Sequence, residues 1–262
     1  MIHKPGPSQR WRFAANLDWL YPEHAYLDRF EAARQDGFEA VELLRPYGFA
    51  VDDLQARLEG LQVALINAPA GDWDAGERGL AALPGREADF RAAAAQGWLL
   101  AQQLGCPLLH LMSGIAEDTP GTRATWLANL SWAAQHAPAG LTLSIEPINR
   151  VGMPGYFLHR QAQAHELLDL LDTERVKLQL DLYHCRISEG GESLNHLQHA
   201  LALNRLGHVQ LAGVAARQEP APGEFAAELV WLGTSGWAGH VGLEYRPAGA
   251  TSTGLGWLHH PY

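Results

Sequence analysis

Short apolar runs of strand length recur along the chain, and a stretch with helical periodicity follows each of them. This alternation is typical of repeated β–α units and of a parallel sheet covered by helices. Strands are predicted at 12–16, 39–44, 61–67, 107–112, 141–147, 176–182, 206–212 and 240–245. Helices are predicted between them, including 25–35, 86–104, 122–136 and 161–171, with Gly37, Gly105 and Gly140 as stop signals.

Eight such units predict a single α/β domain over residues 1–262, a (β/α)₈ TIM barrel with residues 1–10 as an N-terminal extension. The main alternative is a doubly wound open sheet. Its glycine-rich nucleotide-binding signatures are absent from the sequence, which favours the barrel. The longest strand-to-helix connections, 68–84 and 146–158, are rich in Gly, Pro, Trp and Asn and are expected on the catalytic rim.

Composition narrows the choice of partners. The chain is 47% hydrophobic and carries a formal net charge of −10, with its few Lys and Arg scattered, so it can bury a core and is not expected to bind nucleic acid. No apolar run follows residues 1–10, so neither a signal peptide nor a membrane partner is expected. The two cysteines, Cys106 and Cys185, are too few for a disulfide framework, which favours a cytoplasmic protein.

Alternation within four later strands separates residues that face the helices from residues that face the barrel interior. The apolar positions are needed against the helices, so the polar positions point inward. The last inward residues of these strands are Glu146, Asp181, Gln210 and Glu244. Barrel enzymes carry their active sites at this end, so these four side chains are expected to converge there.

Carboxylates crowded at one end of a barrel repel each other, and a divalent cation relieves that repulsion. Carboxylates, an amide and water suit Mg²⁺ or Mn²⁺ better than Zn²⁺. The sequence therefore predicts a divalent metal ion bound by Glu146, Asp181, Gln210 and Glu244. Two alternatives stay open: each residue could be an ordinary polar group on the rim, and His208 could replace Gln210 as a ligand because it shares the same face.

Further polar residues fall at or near the ends of earlier strands, namely Asn16, Glu42, Asn67 and His110. All four are candidates for the pocket lining, and Asn67, His110 and Glu42 are expected to contact substrate. His110 could equally be a hydrogen-bonded core histidine, and Glu42 could pair with Arg45. His184 follows Asp181 closely, and a titratable ring beside a metal favours a functional role.

At these residues the sequence resembles the hydroxypyruvate isomerase family within the xylose isomerase-like barrels. The resemblance covers nearly the whole chain. It is carried by RFAANL at 12–17, GFEAVELL at 37–44, NAPAGDWDAGERGLAALPGRE at 67–87, SIEPIN at 144–149, MPGYFL at 153–158, LQLDLYH at 178–184, GHVQLA at 207–212, GLEYRP at 242–247 and GLGWL at 254–258. It implies that Glu146 and Glu244 are metal ligands and the acid–base pair, that Asp181 and Gln210 complete the coordination, and that His184 and Arg217 contact substrate.

The reaction that the resemblance implies is the interconversion of hydroxypyruvate and tartronate semialdehyde, which makes the partner a small anionic hydroxy-oxo acid. Isomerisation of a 2-oxo-tetronate or epimerisation of a keto-sugar on the same site are the alternatives, beside a metal-dependent endonuclease and a barrel that binds metal or metabolite without turnover. Arg217 is expected to clamp the substrate carboxylate, although it could be a solvated loop charge.

Some positions depart from the family pattern and leave the substrate open. Gly213 and Gln218 stand where the family usually has Asp and His, and Asp18 and Arg45 replace more neutral residues. The oligomeric state is open as well. Apolar residues on the rim such as Trp73 and Trp126 could pack within one chain or across the subunits of a homo-oligomer.

Overall fold

The computed structural model describes residues 12–191 and 193–259, so the predicted extension at 1–10 lies outside the described residues. Eight parallel strands close into a barrel in sequence order. They are β1 (Phe13–Asn16), β2 (Ala40–Leu43), β3 (Gln62–Asn67), β4 (Leu108–His110), β5 (Thr142–Ile145), β6 (Val176–Asp181), β7 (Leu206–Leu211) and β8 (Val241–Leu243). The predicted (β/α)₈ barrel is confirmed, and every predicted strand is present with slightly shorter bounds.

Helices follow the strands and cover the outside of the barrel. They are α1 (Arg29–Gln35), α2 (Val51–Leu58), α3 (Glu87–Gln103), α4 (Pro120–His136), α5 (Gln161–Leu171), α6 (Leu182–Glu189), α7 (Leu194–Ala202), α8 (Ala226–Thr234) and α9 (Thr251–Gly254). α4 begins two residues before its predicted start because Thr119 caps it, accepting a hydrogen bond from the Thr122 amide at 3.2 Å. None of the described helices is long and apolar enough to cross a lipid bilayer.

The barrel interior is polar toward the carboxyl ends of the strands. Ala14, Ala40 and Ala64 form a small cluster separate from the main core. One pleat further along, the register pairs Asn16 with Glu42, while Asp181 lies beside Gln210. The outward strand residues pack under the helices, as the alternation predicted. The polar layer is therefore enclosed by a continuous apolar shell.

Candidate active site

A cavity of about 880 Å³ lies over the carboxyl ends of the strands. We call the strand-end residues that line it the floor, which consists of Asn67, His110, Glu146, Gln179 and Glu244. The two long connections form part of its walls through Trp73 and Arg78 of 68–84 and through Ile148 and Met153 of 146–158. This confirms the expected position of both connections at the rim.

Asp181 is fixed by the helix that begins directly after it. Its Oδ1 accepts hydrogen bonds from the backbone amides of Tyr183 at 2.7 Å and His184 at 3.3 Å, so Asp181 caps the N-terminus of α6. The other oxygen, Oδ2, is buried and has no hydrogen-bond partner among the described residues. One carboxylate oxygen is thus used for folding, and the second is left for a ligand.

Glu146 is held in a similar way from one side. Its Oε2 accepts a hydrogen bond from Gln179 Nε2 at 3.1 Å, and its buried Oε1 has no partner within the described chain. Ligand atoms of Glu146, Asp181 and His184 all lie within 4.8 Å of one another. Two buried anionic oxygens that lack donors and converge in this way fit a divalent cation.

Glu244 lies on the same floor beside a positive charge. Its Oε1 accepts a hydrogen bond from Arg217 Nη2 at 3.1 Å. The Arg217 guanidinium lies 4.4 Å from the ring centroid of Trp19 and 4.9 Å from that of Tyr183. Arg217 is therefore not a solvated loop charge, because it is stacked between two aromatic rings and paired with a buried acid.

Crowding shifts the acid–base properties of these carboxyl groups. The pKa of Glu146 is raised well above its ordinary value by burial and by the charges of Glu244 and Asp181. Burial raises the pKa of Glu244 to about 8, although the charge of Arg217 opposes the shift. Burial likewise raises the pKa of Asp181 to about 6. The floor therefore favours positive charge, supplied either by protons or by a metal ion.

The tautomer of His184 decides how this ring can act. The Nδ1 atom lies 2.6 Å from Asn149 Nδ2 and accepts a hydrogen bond from the Asn149 backbone amide at 3.3 Å. The Asn149 amide is oriented by the Gly152 N–H, which donates to its Oδ1 at 2.7 Å. Burial and the charge of Arg217 hold the pKa of His184 well below its ordinary value, so the ring is neutral. Nε2 then carries the proton and suits a hydrogen-bond donor better than a metal ligand.

Glu42 occupies the centre of the polar layer. It accepts hydrogen bonds from Asn16 Nδ2 at 2.9 Å and Gln210 Nε2 at 2.8 Å, and it contacts His208 Nε2. Gly242 leaves the room for this carboxylate, since a side chain there would collide with it. Glu42 is fully buried and does not contribute to the cavity lining, and Arg45 pairs with Asp18 instead, at 3.4 Å. The alternative that Glu42 pairs with Arg45 is therefore not realised.

The contacts of Gln210 follow from this arrangement. Because its Nε2 donates to Glu42, its carbonyl Oε1 faces the other way and accepts from Gln179 Nε2 at 2.7 Å. Gln179 also donates to Glu146, so an unbroken chain of hydrogen bonds runs from Glu42 to the floor. The competing ligand His208 is turned toward Glu42. This geometry favours Gln210 over His208 as a residue of the site.

His110 and Asn67 form a pair on the floor. His110 Nδ1 lies 3.2 Å from Asn67 Oδ1 and 3.8 Å from Glu146 Oε2. Burial lowers the pKa of His110 to about 3, so the ring is neutral. Because Asn67 Oδ1 accepts, Nδ1 carries the proton and Nε2 is an acceptor, without a partner among the described residues. Both residues line the cavity, where a substrate hydroxyl could reach them.

Sequence reasoning did not single out three residues of the site. Asn149 lies within the SIEPIN stretch but acts only through His184, and Gln179 shares the inward face of Asp181, so alternation alone could have identified it. Arg78 lies in a loop that carries no periodic signal.

Of the two tryptophans expected on the rim, Trp126 is buried and donates a hydrogen bond to Ser113 Oγ at 3.1 Å. Trp126 therefore packs within one chain.

The structure explains why residue 213, usually Asp in the family, is a glycine in this chain. A side chain there would place its Cβ 2.6 Å from the Glu219 carbonyl oxygen. The loop closes through the Arg217 amide, which donates to the Gly213 carbonyl at 2.9 Å, and through the Gly213 amide, which donates to the Gln218 carbonyl at 2.8 Å. Arg217 itself adopts a φ of 52°. The glycine thus permits the tight loop that presents Arg217 to Glu244.

Comparisons with known proteins agree with the barrel fold. The family model described as "Xylose isomerase-like TIM barrel" matches residues 30–260. The chain is similar to the 2-oxo-tetronate isomerase of Cupriavidus necator, with 49% identity over 94% of this chain and 97% of the relative. It is also similar to the hydroxypyruvate isomerase of Escherichia coli, with 37% identity over 94% of this chain and 98% of the relative.

Among solved structures, a protein of Brucella melitensis named AP endonuclease, family 2 superposes with a TM-score of 0.90. It is 40% identical, and the match covers 96% of this chain and 98% of that one. The curated relatives are named as isomerases, in agreement with the enzyme class predicted from the sequence.

Proposed function

Because the chain belongs to the xylose isomerase-like TIM barrel family, we propose that it is a metal-dependent isomerase of a small hydroxy-oxo acid. The observation that carries this proposal is the convergence of Glu146 and Asp181 beside His184, with ligand atoms within 4.8 Å of one another and two buried carboxylate oxygens left without donors among the described residues. A 2-oxo-tetronate is the preferred substrate, because the relative with 49% identity acts on that class. Hydroxypyruvate is the second choice.

The donors of the floor suit Mg²⁺ or Mn²⁺, since His184 presents a proton rather than a lone pair. Glu146, Asp181 and Glu244 would hold the ion, with the Gln210 carbonyl oxygen completing the set. A divalent cation bound there stabilises negative charge on the substrate oxygens. The buried cysteine thiols, Cys106 and Cys185, support the cytoplasm as the compartment of the reaction.

Isomerisation moves a proton between two adjacent carbons. A base removes the proton from the hydroxyl-bearing carbon, which leaves a cis-enediolate. An acid returns a proton to the former carbonyl carbon, and the hydroxyl proton passes to the former carbonyl oxygen as the new carbonyl forms. Glu146 and Glu244 are proposed as this pair because both lie on the floor with raised pKa values. Positioned acid–base groups contribute about 10²–10⁴-fold to a rate.

Other cavity residues are proposed to orient the substrate. His184 donates its Nε2 proton to a substrate oxygen, and Asn149 fixes that tautomer. His110 and Asn67 contact a substrate hydroxyl from the floor. Arg217 was expected from the sequence to clamp the substrate carboxylate, but it is already paired with Glu244. We therefore propose that it contacts the reacting oxygens and offsets their charge. Glu42 lies below the cavity and acts through Gln210, so we propose it as a positioning residue in place of a substrate contact.

Glu244→Gln tests this function. With Mn²⁺ present, the wild-type chain should isomerise a 2-oxo-tetronate and exchange the transferred proton with deuterated water, as followed by NMR. The variant should lose at least about 10²-fold in kcat, because the amide cannot accept the proton. Glu174→Gln, an exposed glutamate outside the cavity, is the matched control and should keep full activity. Full activity in Glu244→Gln with an unchanged circular dichroism spectrum would reject the assignment.

The same assay separates the competing functions. A keto-sugar epimerase would turn over neutral ketoses in preference to oxo-acids, and a barrel that only binds metal or metabolite would exchange no deuterium. DNA cleavage is the second candidate, because the Brucella melitensis chain is named an AP endonuclease. A net charge of −10 opposes it, since phosphate binding requires a basic surface. Incision of a duplex with an abasic site, without any isomerase activity, would favour the endonuclease.

A further inference from the structure

The wall of the cavity carries an arginine that the proposed chemistry does not use. Arg78 Nη1 donates hydrogen bonds to the backbone carbonyls of Trp73 at 2.8 Å and Glu77 at 2.7 Å. Its guanidinium lies 3.9 Å from the centroid of the Trp73 ring. The side chain is half-buried and lines the cavity. These contacts fix the guanidinium in place, and none of them supplies a counter-charge.

The acids near Arg78 are engaged elsewhere. The neighbouring Glu77 pairs with Arg86 and accepts a hydrogen bond from the Asp72 amide at 2.6 Å. None of the ion pairs in 12–191 and 193–259 includes Arg78. A half-buried guanidinium that is partly shielded from bulk water and has no carboxylate partner in this part of the chain suits an anionic ligand.

The other cavity arginines differ from Arg78. Arg217 donates to Glu244 at 3.1 Å, and Arg45 pairs with Asp18 at 3.4 Å, so each already has an acidic partner. Arg246 is exposed, and its guanidinium lies 5.9 Å from the ring centroid of Trp19. Arg78 alone among these four combines a fixed position, partial burial and a charge that no described acid neutralises.

The loop that carries Arg78 is anchored to the barrel. The Gly79 amide donates to the Ala70 carbonyl at 2.8 Å, which closes the loop. Gly79 also lies so near the Met112 backbone that any side chain would collide with it, and it forms a β-bridge with Ser113. A group held in place before binding loses little conformational entropy when the ligand arrives.

We propose that Arg78 binds the carboxylate of the hydroxy-oxo acid substrate, while Arg217 contacts the oxygens at the reacting carbons. The proposal rests on the function proposed above and names the group that orients the substrate. The acidic floor repels a carboxylate, so the anionic end of the substrate turns to the wall at Arg78 and the hydroxy-oxo end meets Glu146 and Glu244. Arg78 thereby selects oxo-acids over neutral ketoses.

The test compares Arg78→Met with wild type on a 2-oxo-tetronate and on erythrulose, a neutral four-carbon ketose. The variant should raise KM for the acid by about 10- to 100-fold, the effect of losing a charge-assisted hydrogen bond, with kcat changed by less than about threefold. Binding of erythrulose should not change. Arg91→Met is the matched control, because Arg91 stacks on Trp132 at 5.3 Å and does not line the cavity.

A second measurement keeps the outcome independent of turnover. Erythronate, a four-carbon acid without a carbonyl, cannot isomerise, and calorimetry should show its affinity reduced about 10- to 100-fold in Arg78→Met and partly restored in Arg78→Lys. Equal erythronate affinity in wild type and Arg78→Met, or no erythronate binding, overturns the proposal. Equal losses for erythronate and erythrulose would also overturn it, because they would indicate a collapsed loop. If wild type binds erythronate but isomerises no oxo-acid, the proposed function fails and the Arg78 site stands.

Discussion

The buried carboxylates of the two barrel halves, β1–β4 and β5–β8, have different surroundings, and we call the halves satisfied and unsatisfied after these carboxylates. In the first half, Glu42 is surrounded by donors, accepting from Asn16 and Gln210 and contacting His208. In the second half, Glu146 and Asp181 are equally buried, yet each keeps one oxygen without a hydrogen-bond partner among the described residues. A buried carboxylate that is satisfied by protein donors is part of the scaffold, whereas one left unsatisfied marks where a ligand binds.

The satisfied half also orients a side chain of the unsatisfied half. Glu42 accepts the hydrogen bond that Gln210 Nε2 donates, so the NH₂ group of Gln210 is turned toward it. The Gln210 carbonyl oxygen therefore faces Gln179, which donates in turn to Glu146. Glu42, a residue of the satisfied half, thus determines that the carbonyl oxygen of Gln210 faces Gln179 and the floor.

The largest expected effect comes from removing this orientation. Glu42→Gln keeps the shape of the side chain but can donate as well as accept, so Gln210 is no longer held in one orientation. Mn²⁺ affinity should fall about 10- to 100-fold, as for other residues that orient metal ligands. Electron paramagnetic resonance of free Mn²⁺ during a titration measures this affinity without reference to activity.

Asn16→Ala is the matched control for Glu42→Gln. It removes another donor to the same carboxylate and leaves the contact between Glu42 and Gln210 intact. The free energy of unfolding should fall by about 1–3 kcal/mol, because a buried acceptor loses a partner, while Mn²⁺ affinity stays within about threefold of wild type. Equal loss of affinity in both variants would show that Glu42 supports the fold in general and does not orient Gln210.

A smaller effect is expected in the pH dependence of the metal-free chain. The folded-state pKa of Glu244 is raised to about 8, so between pH 6.5 and 8 the folded chain binds more protons than the unfolded chain, and stability falls as pH rises. The buried histidines His110 and His184 have lowered pKa values and act only below this window. The Tm should drop by about 2–4 °C across it.

Differential scanning calorimetry after chelation measures this drop. Glu244→Gln should reduce it, and Glu146, whose pKa is also raised, accounts for the remainder. Added Mn²⁺ should reverse the trend, because the ion competes with protons for the same oxygens. A wild-type Tm that is constant or increases from pH 6.5 to 8 without metal would contradict the raised pKa. It would also weaken the contrast between the satisfied and the unsatisfied half.

Alternation along single strands was enough to predict the barrel and the inward position of Glu146, Asp181, Gln210 and Glu244, because side-chain direction in a strand is a local property. Contacts between side chains on different strands could not be predicted from this alternation. Glu42 was expected to contact substrate, and only the closed sheet shows that it is surrounded by β1 and β7.

Contacts made by the loops also could not be predicted from the sequence. The stacking of Arg78 on Trp73 and the hydrogen bond from Asn149 to His184 depend on how irregular segments fold back on the barrel, and no periodic pattern encodes that. The roles given to the site residues stay predictions, including the acid–base pair and the metal ligands. The fold and the family are confirmed by the closed barrel and by the similarity to named relatives.

The most direct test of the central claim is anomalous diffraction from a crystal of this protein grown with Mn²⁺. One peak is predicted between Glu146, Asp181 and Glu244, about 2.0–2.6 Å from Asp181 Oδ2 and Glu146 Oε1. An ion bound elsewhere, or these three carboxylates turned away from a common point with no peak between them, would contradict the claim that the unsatisfied half of the barrel is a metal site.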